Sequence, residues 1–367
     1  MTADLIKPKE EAAGSGANVS CALTEHVLRW WRKHGRKDLP WQKDVTPYRV
    51  WVSEIMLQQT QVGTVIPYFE RFMQRFPDVG HLAAASLDDV LRLWTGLGYY
   101  ARARHLHQAA QKILAEYGGQ MPSSVQELCA LPGIGRSTAG AILSLAYKQS
   151  HAILDGNVKR VLCRYHGIRE WPGAAATERH LWALAETHLP ASEEAAAYTQ
   201  AMMDLGSLVC RRTKPLCQNC PLRSACAAYR EGRTDEWPMP RPRRSLPEKE
   251  IWFIVLRDHA GRVLLEQRDP TGVWGGLWSF PMMESAQTAA AWVDHELGKT
   301  ENYRPLAEIQ HVFSHFLLHI HPLLIELQTP LVTGVKDQPR VWYKPGQPSP
   351  GGLAAPVVRL IRDLSNV

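Results

Sequence analysis

Four cysteines within one short stretch constrain this chain more than any other feature. Cys210, Cys217, Cys220 and Cys226 stand in the spacing C-x6-C-x2-C-x5-C, directly after a predicted helix. Four thiolates that close in sequence can surround one centre. The paired C-x2-C knuckles of a zinc ribbon are missing, so the pattern favours a [4Fe-4S] cluster over zinc and over free thiols. The stretch from Cys210 to Arg230 also carries Arg211, Arg212, Lys214, Arg223 and Arg230, with no acid among them. A loop tied by metal and studded with cations suits the presentation of charge to phosphates. Cys21, Cys129 and Cys163 are scattered and read as small isolated hydrophobes. The total of seven is odd, which argues against a disulfide framework.

The rest of the chain fits a globular protein of more than one domain. It has 367 residues, of which 45% are hydrophobic and 21% charged, and a net charge of +6. That charge suits a nucleic-acid binder but decides little alone. Residues 1–20 mix charges with Gly and Ala, lack an apolar signal core and read as a flexible tail. No apolar run is long enough to span a membrane, so the expected location is cytoplasmic. Residues 21–230 carry 3.6-period apolar patterns, such as Leu87-Val90-Leu91-Trp94, and form the expected helical catalytic region. Within it, 46–149 is the expected helical barrel, and 21–45 with 150–230 the cluster subdomain. Residues 231–249 hold the proline-broken run Trp237-Pro-Met-Pro-Arg-Pro and read as a linker. Beyond them the period shortens: Ile251–Leu256 and Arg262–Gln267 read as strands, Ala286–Leu297 as a helix and Val312–Ile325 as a strand region. Residues 250–367 thus form a small α+β domain.

Two further features carry chemistry. Leu131-Pro-Gly-Ile-Gly-Arg-Ser-Thr-Ala139 separates two helical segments, and Gly133 and Gly135 expose backbone N–H groups where the second helix begins. Such a turn holds an anion without reading sequence, as a DNA-backbone anchor does. The second feature is a carboxyl pair. Thr46-Pro47 starts a helix expected to run on to Gln61, placing Glu54 beside Val50, Trp51, Leu57 and Gln58. A carboxyl among apolar neighbours has a raised pKa and suits a general acid. Asp155, in Ile153-Leu-Asp-Gly-Asn157, is an expected helix N-cap, which favours its ionised form. One neutral and one anionic carboxyl is the logic of glycosidic bond cleavage.

Together these segments resemble the endonuclease III superfamily of helix–hairpin–helix DNA glycosylases, and within it the adenine glycosylases of the MutY type. The carrying stretches are Asp38-Leu-Pro-Trp41, Val52–Gln61, Trp94–Arg104, Leu131–Ala139, Ile153–Asn157, Ala201–Gly206 and the cysteines. The resemblance implies a mostly α glycosylase fold with an iron–sulfur loop, acting in base excision repair as a monomer in the bacterial nucleoid. Its partner would be double-stranded DNA with adenine opposite 8-oxoguanine or guanine. Glu54 would protonate adenine at N7 and Asp155 would stabilise the oxocarbenium ion, with Ser137 and Asn157 positioning groups. Lyase-competent relatives have a lysine at the place of Ser137, and serine cannot form a Schiff base, so the strand would stay uncut. Gln58, Gln59, Tyr99, Gly133, Gly135 and Arg136 would bind DNA; Leu39, Trp41, Gln200 and Asp204 would line the base pocket.

Gly275–Pro281 and Phe313-Ser-His-Phe316 resemble a Nudix-like domain, with Phe313, Ser314 and His315 facing the oxidised guanine. The Arg-Glu pair of a working Nudix metal box is replaced by Ala291-Trp292, which implies recognition without pyrophosphatase activity. Alternation puts His311, His315, His319 and His321 on one side of a strand. Two alternatives remain open at the level of sequence: a pyrimidine-damage glycosylase/lyase, and a non-catalytic iron–sulfur DNA sensor.

Overall fold

The computed structural model describes residues 16–242, 245–298, 303–327 and 339–365. Its helices, in chain order, are α1 (Gly16–His34), α2 (Pro47–Leu57), α3 (Val62–Arg75), α4 (Val79–Ala84), α5 (Leu87–Trp94), α6 (Ala101–Tyr117) and α7 (Val125–Cys129). There follow α8 (Arg136–Tyr147), α9 (Gly156–His166), α10 (Ala175–Thr187), α11 (Ser192–Asp204) and the single turn α12 (Ala227–Arg230). The C-terminal part adds strands β1 (Glu248–Asp258), β2 (Val263–Gln267), β3 (Trp278–Ser279) and β4 (Met282–Met283), then helix α13 (Ala286–Leu297). Strands β5 (Arg304–Pro305), β6 (Ile309–Val312), β7 (Leu317–Leu327) and β8 (Arg340–Tyr343) and helix α14 (Ala355–Ser365) complete it.

Local chemistry explains the boundaries. Side chains of Thr46, Asp78, Ser86, Ser124 and Asp155 accept hydrogen bonds from first-turn N–H groups of α2, α4, α5, α7 and α9. Helix α2 stops at Leu57, four residues short of the expected Gln61, because Gln59 takes a left-handed φ of 56°. Helix α1 begins at Gly16, within the expected flexible tail 1–20; residues 1–15 lie outside the described residues.

The compact units cut across the expected division. One unit runs up to Gln58 and resumes from Met121 to Pro242; the other comprises Gln59–Gln120 and the chain from Arg243 onward. The first unit packs α1 and α8–α11 around Leu23, Val27, Leu154, Val158, Leu162, Leu181, Ala201 and Leu205. The beginning of the linker belongs to it: Trp237 is buried, and its carbonyl accepts from Arg164 Nε at 2.9 Å. The second unit joins α3–α6 to a mixed sheet in the order β3-β2-β1-β7-β5. Strands β1 and β7 pair in parallel from Glu248↔Leu317 to Asp258↔Leu327, and the other pairings are antiparallel. Helix α13 covers one face through Ala289 and Val293 against Ile254, Leu256 and Ile325.

The expected strand region Val312–Ile325 holds the end of β6, a turn at 313–316 and most of β7. That turn changes the histidine reading. His311 pairs with buried Leu318, whereas His319 pairs with Gln310, so His311 lies on the opposite face from His319 and His321.

Candidate active site and cysteine loop

Two carboxyls meet in the first unit. Glu54 sits in the last turns of α2, flanked by buried Ser53 and Ile55 and one turn from buried Val50 and Trp51. Burial, helped by the charge of Asp155, pushes its carboxyl up to about 8. Asp155 caps α9, accepting from Val158 N at 2.8 Å and from Asn157 Nδ2 at 3.2 Å. Its acidity departs from the sequence expectation: burial raises its pKa, while the Val158 N–H, Arg160 and Asn157 oppose the shift. Burial thus raises both carboxyls, Glu54 to about 8, and on Asp155 the cap bonds oppose the shift.

What holds Asp155 was only partly legible in the sequence. Ser137, on the first turn of α8, accepts from Leu154 N at 3.0 Å and so fixes the residue before the aspartate. Asn157 Oδ1 accepts from Arg160 Nη2 at 2.9 Å. Arg160 also donates to the carbonyls of Gly206 at 2.7 Å and Cys210 at 2.7 Å. Sequence reasoning missed Arg160, because two of its partners are the backbone carbonyls of Gly206 and Cys210, which no side-chain type announces. Gly206 belongs to a π-helical turn, Leu205–Val209, that follows α11. A Cβ on Gly206 would come within 2.5 Å of Asn157 Cβ, so only glycine lets this turn approach.

The cysteines follow at once. Cys210 N donates to Leu205 O at 2.8 Å, and two short 3₁₀ turns carry Cys217 and Cys220 and lead to Cys226. The thiols of Cys217, Cys220 and Cys226 are raised first by burial, Cys220 to about 12, and each also feels its sulfur neighbours. Arg164 is buried beneath the loop, with Nη1 3.3 Å from Cys210 Sγ and hydrogen bonds to the carbonyls of Arg211 at 2.7 Å and Arg212 at 3.1 Å. Among the described residues no group of three or more His, Cys, Asp or Glu side chains is arranged to hold a metal ion. The four thiols share one loop beside the Arg164 guanidinium, and thiolates are the donor type that iron and zinc both take. Arg211, Arg212, Lys214, Arg223 and Arg230 are all exposed on this loop.

Other expected site residues fall as follows. Gly133 takes φ 78° and Gly135 caps α8, both exposed, and neither amide donates to the backbone among the described residues. Arg136 is exposed but folded back, over the Trp182 ring at 3.9 Å and paired with Glu186. Leu39 and Trp41 are buried around the short turn Pro40–Gln42. Asp204 does not present its carboxylate to a pocket: it is fully buried and accepts from Trp31 Nε1, Arg36 N, Arg36 Nε and Nη2, and Gln200 Nε2. With its lone pairs so engaged, Asp204 ties α11 to the loop after α1, and Gln200 is committed to it. Gln58 is half-buried at the end of α2.

In the second unit, Tyr99 is 53% exposed at a left-handed φ of 51°, and Gln59 is also exposed. In the β6–β7 turn, Ser314 and His315 are exposed while Phe313 stacks on Phe316 at 4.4 Å. Glu296, one of two acids in the altered Nudix stretch beside Asp294, is 3.4 Å from Arg340.

The first unit thus holds a glycine hairpin ahead of α8 and a capped aspartate electrostatically coupled to a buried glutamate, and the second holds a mixed sheet. Residues 52–187 match the HhH-GPD superfamily of base excision DNA repair proteins, and residues 251–363 match the NUDIX domain. An adenine DNA glycosylase of Buchnera aphidicola is 40% identical over 93% of this chain and 97% of its own length. That of Rattus norvegicus is 36% identical over 85% of this chain and 72% of its own. A solved thermostable thymine-DNA glycosylase is 26% identical with a TM-score of 0.52, covering 59% of this chain and 97% of that one. The chain belongs to the adenine DNA glycosylase family. DNA is accordingly its partner, and no described helix is long and apolar enough to cross a membrane.

Proposed function

We propose that the protein hydrolyses the N-glycosidic bond of adenine opposite 8-oxoguanine or guanine, acting as a monomer and leaving an uncut strand. The observation that carries this reading is the unequal carboxyl pair. Glu54, raised to about 8, holds a proton at neutral pH and delivers it to N7 of the extruded adenine. The C1′–N9 bond then breaks, its electron pair leaving with the neutral base. Asp155, as the anion, stabilises the oxocarbenium ion across the sugar. Water adds to C1′ and loses its proton to the Glu54 carboxylate, which restores the acid. Ser137 holds the Asp155 segment through Leu154 and offers no amine for a Schiff base. Cys210, Cys217, Cys220 and Cys226 would hold a [4Fe-4S] cluster, whose chemistry here is to tie the cationic loop into one shape. Gly133 and Gly135 bind backbone phosphate, Tyr99 with Gln58 and Gln59 enters the duplex, and Phe313, Ser314 and His315 meet the base opposite adenine.

The test is base release from duplexes bearing adenine opposite 8-oxoguanine, guanine, cytosine or thymine, with strand breaks scored before and after alkali. The reading expects release with the first two partners and breaks only after alkali. Breaks without alkali, or a borohydride-trapped adduct at turnover levels, would move the protein to the lyase class. Unchanged release by Glu54→Gln would remove the acid.

A further inference from the structure

Residues 95–100, between α5 and α6, form an unusually constrained mount for one exposed side chain. Gly96 (φ 95°), Gly98 (φ 78°) and Tyr99 (φ 51°) all take left-handed backbone, and for tyrosine this is a strained state that surroundings must enforce. Inside the unit, Trp94 Nε1 and Arg102 Nη2 donate to Gly98 O at 3.1 and 3.0 Å, and Tyr68 Oη donates to Thr95 O at 2.9 Å. The remaining ties run through Tyr100 and Arg92 to residues 349–353 of the same unit. Tyr100 Oη accepts from Gly96 N at 3.3 Å and donates to Leu353 O at 2.8 Å. Leu353 N donates to Thr95 Oγ1 at 3.4 Å. On α5, Arg92 donates from Nε to Ser349 O at 2.9 Å and from Nη2 to Pro350 O at 3.1 Å.

The strap 349–354 is itself fastened to the sheet. Trp278 N donates to Gly352 O at 2.8 Å and Ala354 N to Trp278 O at 3.4 Å. Its glycines permit the approach: a Cβ on Gly352 would lie 2.7 Å from Leu91 Cβ on α5. Arg104, on the first turn of α6, donates to Gly275 O at 2.8 Å, a second tie to the same domain.

The geometry points to the strap 349–354 as the element that sets Tyr99, with Tyr100 and Arg92 as positioning residues through which the C-terminal domain governs entry of Tyr99 into the duplex. This rests on the reading of Tyr99 as the side chain that enters DNA. Tyr99 is placed by bonds that its own helices supply only in part; loosening the strap relaxes the left-handed stretch and lowers the fraction of molecules ready to insert the ring.

Rapid mixing of the full-length protein with a duplex carrying 2-aminopurine beside the mispair tests this, since its fluorescence reports a side chain entering the stack. Base release is followed in parallel. Tyr99→Ala should remove most of the fluorescence change. Tyr100→Phe and Arg92→Gln should each lower the rate of that change by about fivefold, the scale of one lost hydrogen bond, while base release at saturating enzyme stays within about twofold. Amide exchange at Gly96 should quicken in Tyr100→Phe, which loses its acceptor. Wild-type fluorescence and exchange in Tyr100→Phe and Arg92→Gln, beside a defective Tyr99→Ala, would overturn the positioning role. A wild-type response from Tyr99→Ala would instead remove the reading of Tyr99 as the intruding side chain, and the inference with it.

Discussion

At the scale of single residues, Glu54 sets chemistry against stability. Its carboxyl is raised from 4.5 to about 8, so the folded state prefers it protonated. That contribution to stability is complete below about 4.5 and is lost as pH rises through about 8. Glu54→Gln removes the charge that the fold resists, so its melting temperature should exceed that of the parent by several degrees at pH 8, and by less at pH 5. The parent's base release should decline above pH 8 as the acid ionises, and a profile flat to pH 10 would contradict its role. Gly206 gives a second prediction. A methyl there meets Asn157 at 2.5 Å, and Asn157 in turn holds Asp155. Gly206→Ala should slow single-turnover base release by about a hundredfold, the scale of a 1 Å misplacement at a reacting centre, with DNA affinity nearly unchanged.

At the scale of elements, α9 gathers more of the site than its sequence announced. Its cap is Asp155, its first turn Asn157, and Arg160 and Arg164 project one and two turns on toward the cysteine loop. The cap was legible because Asp-Gly-Asn before an apolar period is a local signal. The arginines were not, because their partners are carbonyls brought near by the π-helical turn, and neither the turn nor a carbonyl's direction is written in side-chain type. The same limit explains why α2 ends early at a left-handed Gln59 and why His311 changes face across a turn. At its other end, α9 presents His166, whose Nε2 is 2.9 Å from that of His188 in a stacked pair. Burial and the neighbouring imidazoles hold His166 down to about 4. Its contribution to stability is therefore present above about 6.5 and is lost as pH falls through about 4. The melting temperature should drop over that window, and His166→Gln should flatten the drop; equal slopes for the two proteins would count against this account.

At the scale of the whole molecule, the modest net charge hides a local excess. The exposed Arg211, Arg212, Lys214, Arg223 and Arg230 share one loop. If Lys214 meets a backbone phosphate, Lys214→Ala should weaken binding to matched and mispaired duplexes alike and shrink the slope of log K against log salt by about one. An unchanged slope would place Lys214 off the DNA. Domain type was readable from the period change beyond the prolines. The compact units were not, since they depend on hydrogen bonds such as Tyr100 to Leu353, separated by 253 positions.

The chain passes from one compact unit to the other after Gln58, back after Gln120 and over again after Pro242. In synthesis, this interleaving orders events. When residue 120 leaves the ribosome, neither unit is complete. Helix α2 waits for the hairpin, α9 and the cysteine loop, while α3–α6 wait for the strap that precedes α14. The carboxyl pair is thus assembled only once Asp155 has emerged, and the mount of Tyr99 is completed late, by residues within sixteen of the final helix's end.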